Sequence, residues 1–127
     1  MSVPGPHSHL RLARPVRDLA AAERFWVQGL GLSVLWSSGS GLLAVGWPAA
    51  AWHLELVEAS EASPAPTDED LLVLYLDGPF DAAVVERLVA AGGVVAASRN
   101  PYWDKWGVTI ADPDGYRLVL CERSWSS

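Results

Sequence analysis

Asp18-Leu19-Ala20-Ala21-Ala22-Glu23-Arg24-Phe25-Trp26-Val27-Gln28-Gly29 returns in altered form 63 positions later, as Asp81-Ala82-Ala83-Val84-Val85-Glu86-Arg87-Leu88-Val89-Ala90-Ala91-Gly92. Under that shift Asp18, Ala20, Glu23, Arg24 and Gly29 fall on Asp81, Ala83, Glu86, Arg87 and Gly92, and Phe25 falls on Leu88. A fixed internal period is the mark of a duplicated supersecondary unit. Each copy also reads as a helix by itself, with an aspartate to cap the first amides, alanine and apolar residues at three-to-four spacing, and a glycine to end it. The spacing predicts helices over Leu19 to Gln28 and Ala82 to Ala91.

Working outward from the helices, a strand-like stretch precedes each one, His9 to Val16 and Leu71 to Asp77, and short strands follow. In the first half these are Ser33 to Ser37, Leu42 to Trp47 and Trp52 to Val57, broken by Ser38-Gly39-Ser40-Gly41 and by Pro48. In the second half they are Gly93 to Ser98, Val108 to Ala111 and Tyr116 to Glu122, with Asp112-Pro113-Asp114-Gly115 carrying turn residues in type I order. Ala59 to Asp68 is polar and holds two prolines, the composition of a surface linker. The expected architecture is one α+β domain over residues 1–127, with one βαβββ module at about 9–58 and a second at about 69–124.

The chain has 127 residues, half of them apolar, enough to bury a core without disulfides or a structural metal. Its formal charge of −6 argues against nucleic acid or an anionic membrane surface, both of which call for a basic footprint, and favours a small molecule or another protein. No stretch approaches the apolar length of a membrane span, and residues 1–8 lack the pattern of a signal peptide, so a cytoplasmic location is expected. Cys121, the single cysteine, lies in an apolar run and reads as a small buried side chain. No Ser-His-Asp signature, phosphate-cradling glycine loop or cysteine-rich knuckle is present.

Pro15-Val16-Arg17-Asp18-Leu19, Phe25-Trp26 and Leu30-Gly31-Leu32, together with the closing Asp112-Pro113-Asp114-Gly115-Tyr116 and its apolar strand, resemble the vicinal oxygen chelate superfamily of glyoxalases, bleomycin resistance proteins and extradiol dioxygenases. Asn100 to Gly107 resembles a segment of one uncharacterised bacterial branch. The resemblance implies curved mixed sheets whose concave face holds a divalent ion, with His, Glu or Gln ligands from the first and last strand of each module. It also implies pairing of two chains as a homodimer.

Counting from the motifs, the ligand positions fall on Arg11, Glu55, Leu74 (with Leu72 on the same face) and Val119, so one carboxylate is left. An arginine offers donors only and cannot ligate a cation. His9 and His53 share faces with Arg11 and Glu55 by strand alternation, so His9, His53 and Glu55 form an alternative ligand set for zinc, iron or manganese. The preferred expectation has no metal: Arg11 and Glu55 pair where the ion would sit, either as a structural salt bridge on a closed sheet face or as a site where Arg11 binds a carboxylate or phosphate and Glu55 or His53 moves a proton.

Seven tryptophans call for an explanation. Trp26 belongs to the core face of the first helix. Trp36 and Trp47 at strand ends, Trp52 beside them, and Tyr102, Trp103 and Trp106 in a loop are expected to wall a cleft for an aromatic or amphiphilic ligand, or to form a dimer interface. The sequence therefore points to a small-molecule-binding protein with Arg11, Trp36, Trp47, His53, Glu55, Tyr102, Trp103 and Trp106 at the site. The alternatives are a metal-dependent lyase or dioxygenase, a metal-free isomerase or cyclase using His53 and Glu55, and a subunit whose aromatics serve assembly alone.

Overall fold

The computed structural model describes residues 1–58 and 61–126. Two four-stranded mixed sheets carry the chain. The first runs in the order β1-β4-β3-β2, from Leu10–Pro15 (β1), Ser33–Ser37 (β2), Leu42–Gly46 (β3) and Trp52–Val57 (β4). The second repeats that order as β5-β8-β7-β6, from Leu71–Tyr75 (β5), Val94–Ala96 (β6), Gly107–Ala111 (β7) and Arg117–Cys121 (β8). In each sheet the first strand lies parallel to the last and the other pairings are antiparallel. This is the expected α+β arrangement of two βαβββ modules.

One apolar core joins the sheets. Leu43, Val45, Leu54 and Leu56 from the first sheet and Ile110, Leu118 and Leu120 from the second gather around Phe25, Trp26, Leu30 and Leu88 from the helices. Alternation along each strand then turns the residues between them, Ala44, His53 and Glu55 in module one, to the opposite face. The halves are also tied by polar contacts. Asp112 accepts from the Trp26 indole at 3.3 Å, Asp114 from the Arg17 amide at 3.0 Å, and the Gly29 carbonyl from Arg87 Nε at 2.8 Å. The closing Asp-Pro-Asp-Gly hairpin is thus a joint between modules as well as a turn, a role the turn signal alone does not reveal.

The helices follow the repeat with two differences. α2 (Ala82–Ala90) starts where expected, with Asp81 accepting from the Ala83 amide, and stops at Gly92, whose φ of +100° suits glycine. The first helix is α-helical only over Leu19–Glu23 (α1) and continues as a π-helical turn over Arg24–Gly29, closed by the Leu30 amide on the Phe25 carbonyl. Its stopping glycine is Gly31, at φ +95°, not Gly29. Gly29 is needed for close approach instead: a Cβ there would stand 3.0 Å from Leu88 Cδ2 and 3.2 Å from the Ala91 Cβ.

Two further expectations are corrected. Tyr102 to Trp106 is not loop but a short helix, Pro101–Trp106 (α3), with Asn100 accepting from the Tyr102 amide at 3.0 Å. Asparagine followed by proline is a helix-start signal, and tertiary packing completes what so short a segment could not hold alone. Leu72 and Leu74 pack into the core, so they do not face the side of module two's sheet that corresponds to Arg11's in module one. Arg11 is level with His53, and it is Leu71 that is level with Arg117, so the first strands of the modules are offset by 60 residues where the helices are offset by 63. The linker expected over residues 59–68 falls partly on Ala59 and Ser60, outside the described residues.

Candidate functional site on the outer face of module one

On the face of the first sheet turned away from the helices, Arg11, His53 and Glu55 come together, and His9 joins them from just before β1. Arg11 donates through Nε to Glu55 Oε2 and forms an ion pair with the same oxygen through Nη2. The Glu55 side chain is 11% exposed and that of Arg11 53%, so the pair spans from the sheet surface to solvent. The other carboxylate oxygen, Oε1, lies 3.8 Å from His53 Nε2. On the far side of the same ring, His53 Nδ1 shares a hydrogen bond of 2.6 Å with His9 Nε2, the two rings 4.9 Å apart.

Strand register places the neighbours. Trp36 is paired with Ala44 and Ala44 with Glu55, so the indole stands two strands away, about 10 Å, with the buried Ala44 between them. Trp36 is 56% exposed. In the adjoining row a Cβ on Gly46 would lie 3.2 Å from both His53 Cβ and Leu35 Cδ1, so the glycine lets His53 and Leu35 pack close over the strand. A bulge between Val34 and Trp36 sets Leu35 and Trp36 at this edge. Sequence reasoning missed Leu35, Ala44 and Gly46. A glycine inside a strand was the available signal, while the bulge leaves no mark in composition.

Burial holds the His53 imidazolium below the ordinary histidine range, with His9 and Arg11 adding to the effect, so the ring is neutral at neutral pH. Arg11 and Glu55 cancel each other's charge.

The other candidate aromatics lie elsewhere. Trp47 packs edge-on against Trp52, 5.7 Å between rings, and Trp52 packs on the core. Tyr102, Trp103 and Trp106 lie on module two, where α3 folds over β7 and β8. Trp103 meets Tyr75 and Tyr102, Trp106 lies under the Arg123 guanidinium at 4.5 Å and near Lys105, and Trp125 joins Tyr75 at 5.6 Å. Among the described residues no hydrogen bond, ion pair or ring contact links this group to the Arg11–Glu55 group, and one chain encloses no pocket.

Residues 69–122 match the family model of the YycE-like C-terminal domain. Over 120 residues the chain is 38% identical to the uncharacterized protein YycE of Bacillus subtilis (strain 168), covering 89% of this chain and 86% of YycE. The chain belongs to the YycE family. A crystal structure of the B. subtilis YycE protein superposes with a TM-score of 0.78 at 35% identity, covering 95% of this chain and 93% of that one. Two proteins of Streptomyces sp. CB03234 are also similar. One is a glyoxalase/bleomycin resistance protein (26% identity, TM-score 0.57, covering 90% and 99%), and the other is TnmS3, an antibiotic binding protein (27%, 0.63, covering 98% and 99%). These likenesses set the YycE-family chain in the vicinal oxygen chelate superfamily, as its motifs implied.

The residues of this YycE-family chain do not suit the superfamily's metal. His9 and Glu55 address opposite nitrogens of the one His53 ring, so the three donors do not converge on a point. Glu55 is engaged by a guanidinium that offers only donors and would repel a cation. Among the described residues no three His, Cys, Asp or Glu side chains are disposed to hold one metal ion. In module two the corresponding face presents Val73, Val119 and Thr109.

Proposed function

We propose that this protein binds a small aromatic or amphiphilic molecule on the outer face of module one, without a metal, in the cytoplasm and as a homodimer. The observation that carries the reading is the Arg11–Glu55 ion pair on the same sheet face as the exposed indole of Trp36. An aromatic wall beside a few polar groups is the usual make-up of a small-molecule site. The similarity to TnmS3, described as an antibiotic binding protein, supports a binding role. The absence of any helix among the described residues long and apolar enough to cross a membrane is in keeping with it.

The dimer accounts for the open face. β1 and β5 each end a sheet with unpaired backbone groups, and Leu10, Leu12 and Tyr75 on them are exposed. A two-fold partner laid along these edges covers them and supplies the second wall that one chain lacks.

The test is titration of purified protein with a panel of planar aromatic compounds, read by tryptophan fluorescence, with elemental analysis after loading with zinc, iron and manganese. Saturable quenching that is insensitive to chelator and lost in Trp36→Ala is expected. One divalent ion per chain, removed by Glu55→Ala, overturns the reading and restores the metal-enzyme alternative.

A further inference from the structure

The hydrogen bond between His9 and His53 can run in either direction, and its direction decides what the site offers a ligand. One of the two nitrogens, His9 Nε2 or His53 Nδ1, must carry the proton while the other accepts it. Glu55 breaks the tie. Its Oε2 is taken by Arg11, which leaves Oε1 turned towards His53 Nε2 at 3.8 Å. That distance is too long for a direct hydrogen bond, but the charge acts across it in a partly desolvated site.

If His53 donated through Nδ1, its Nε2 lone pair would face a carboxylate oxygen. If instead His53 accepts at Nδ1, its Nε2 carries the proton and points a positive N–H dipole at that oxygen. The second arrangement is electrostatically favoured, and it forces His9 to donate through Nε2. A neutral imidazole with its proton on Nε2 has an unprotonated Nδ1. His9 is exposed, and its Nδ1 has no hydrogen-bond partner among the described residues.

We propose that Glu55, acting through His53, fixes His9 in the tautomer whose Nδ1 is a free acceptor, and that the ligand is a neutral aromatic carrying a hydroxyl donor, of the phenol or enol class. This deepens the metal-free binding reading and rests on it. The ligand is neutral because Arg11 is already matched by Glu55. Its ring packs towards the exposed indole of Trp36, and its hydroxyl donates to His9. Glu55 and His53 are positioning residues, and His9 makes the contact. The sequence reading gave His9 only a ligand's place in the metal alternative; its tautomer follows from three side chains that strand alternation and register bring into line.

The experiment has two arms. Long-range proton–nitrogen NMR of the imidazoles, recorded above the histidine titration range, reads the tautomers directly. Both His9 and His53 are expected with the proton on Nε2, and Glu55→Gln is expected to give a mixture at both rings. A proton on His53 Nδ1 in the wild type, or tautomers unmoved by Glu55→Gln, overturns the proposal.

In the second arm, equilibrium dialysis compares 2-naphthol with its methyl ether, which has the same ring and no donor. The phenol is expected to bind at least tenfold more tightly than the ether, and the advantage to vanish in His9→Ala and return in part in His9→Asn. Equal binding of the two overturns this inference and leaves the binding reading standing. Failure of both to bind, with intact fold and the expected tautomers, sinks the binding reading and this inference together.

Discussion

The outer faces of the two modules occupy equivalent places in a duplicated fold and have become opposites. In module one the β2–β3 connection is the tight Ser38-Gly39-Ser40-Gly41 turn, which leaves the face open above Glu55 and His53. In module two the corresponding β6–β7 connection is longer and holds α3, which lies over β7 and β8. Val119 and Cys121 beneath are fully buried, and Trp103 and Trp106 pack against Tyr75 and Arg123. Among the described residues the face with the carboxylate carries no helix, and the other is roofed by the protein's own aromatics. A repeat conserves what packing requires, the core-facing half of each strand, and leaves the other half free to diverge.

The sharpest way to break this contrast is to copy the carboxylate into module two. Val119→Glu puts a charge at a fully buried position with no guanidinium beside it, and a loss of about 4 kcal/mol is expected in urea unfolding. Adding Leu71→Arg, the counterpart of Arg11, should recover part of that loss; no recovery would mean that the modules are not equivalent at this position.

The reverse exchange, Arg11→Leu, makes module one like module two and strands a largely buried Glu55. It should cost about 2 kcal/mol, less than Val119→Glu because the site is closer to solvent. Gly46→Ala sharpens the comparison beside His53, since module two already holds Ala111 at that place. The new Cβ presses on His53 and Leu35, and a cost of about 1 kcal/mol with displaced His53 resonances is expected.

The smallest effect separates the faces by pH. Because the folded His53 pKa is lowered, the unfolded chain takes up the proton first. Stability from this group is therefore complete above its ordinary value of 6.5 and falls as pH drops below it towards the folded value. The expected change is small and absent in His53→Asn, and unfolding measured across that range checks it.

The legible part of the molecule was the part dictated by local rules. The helix-capping aspartates, the alternation in β4 and the Asp112 to Gly115 turn each specify their own structure within a few residues, and all formed as expected. Arg11 and Glu55 were brought together because they lie on parallel neighbouring strands, so periodicity and fold sufficed. The illegible part depended on small offsets. A three-residue difference in the spacing of the first strands moved Leu72 and Leu74 into the core and put Leu71 opposite the Arg11 position, because side chains on a strand change face at every residue. Trp47 and Trp106 are as aromatic as Trp36, and composition does not say which of them reaches the site.

By itself the sequence determined that two like units would fold and that their helices would be capped, since these follow from side-chain chemistry and short-range spacing. Only the tertiary structure decided that Glu55 turns one oxygen to Arg11 and the other to His53, that His9 reaches the far side of that ring, and that α3 closes one face while the other stays open. Those outcomes depend on distances between segments far apart in the chain, which are settled when the sheets pack around a shared core.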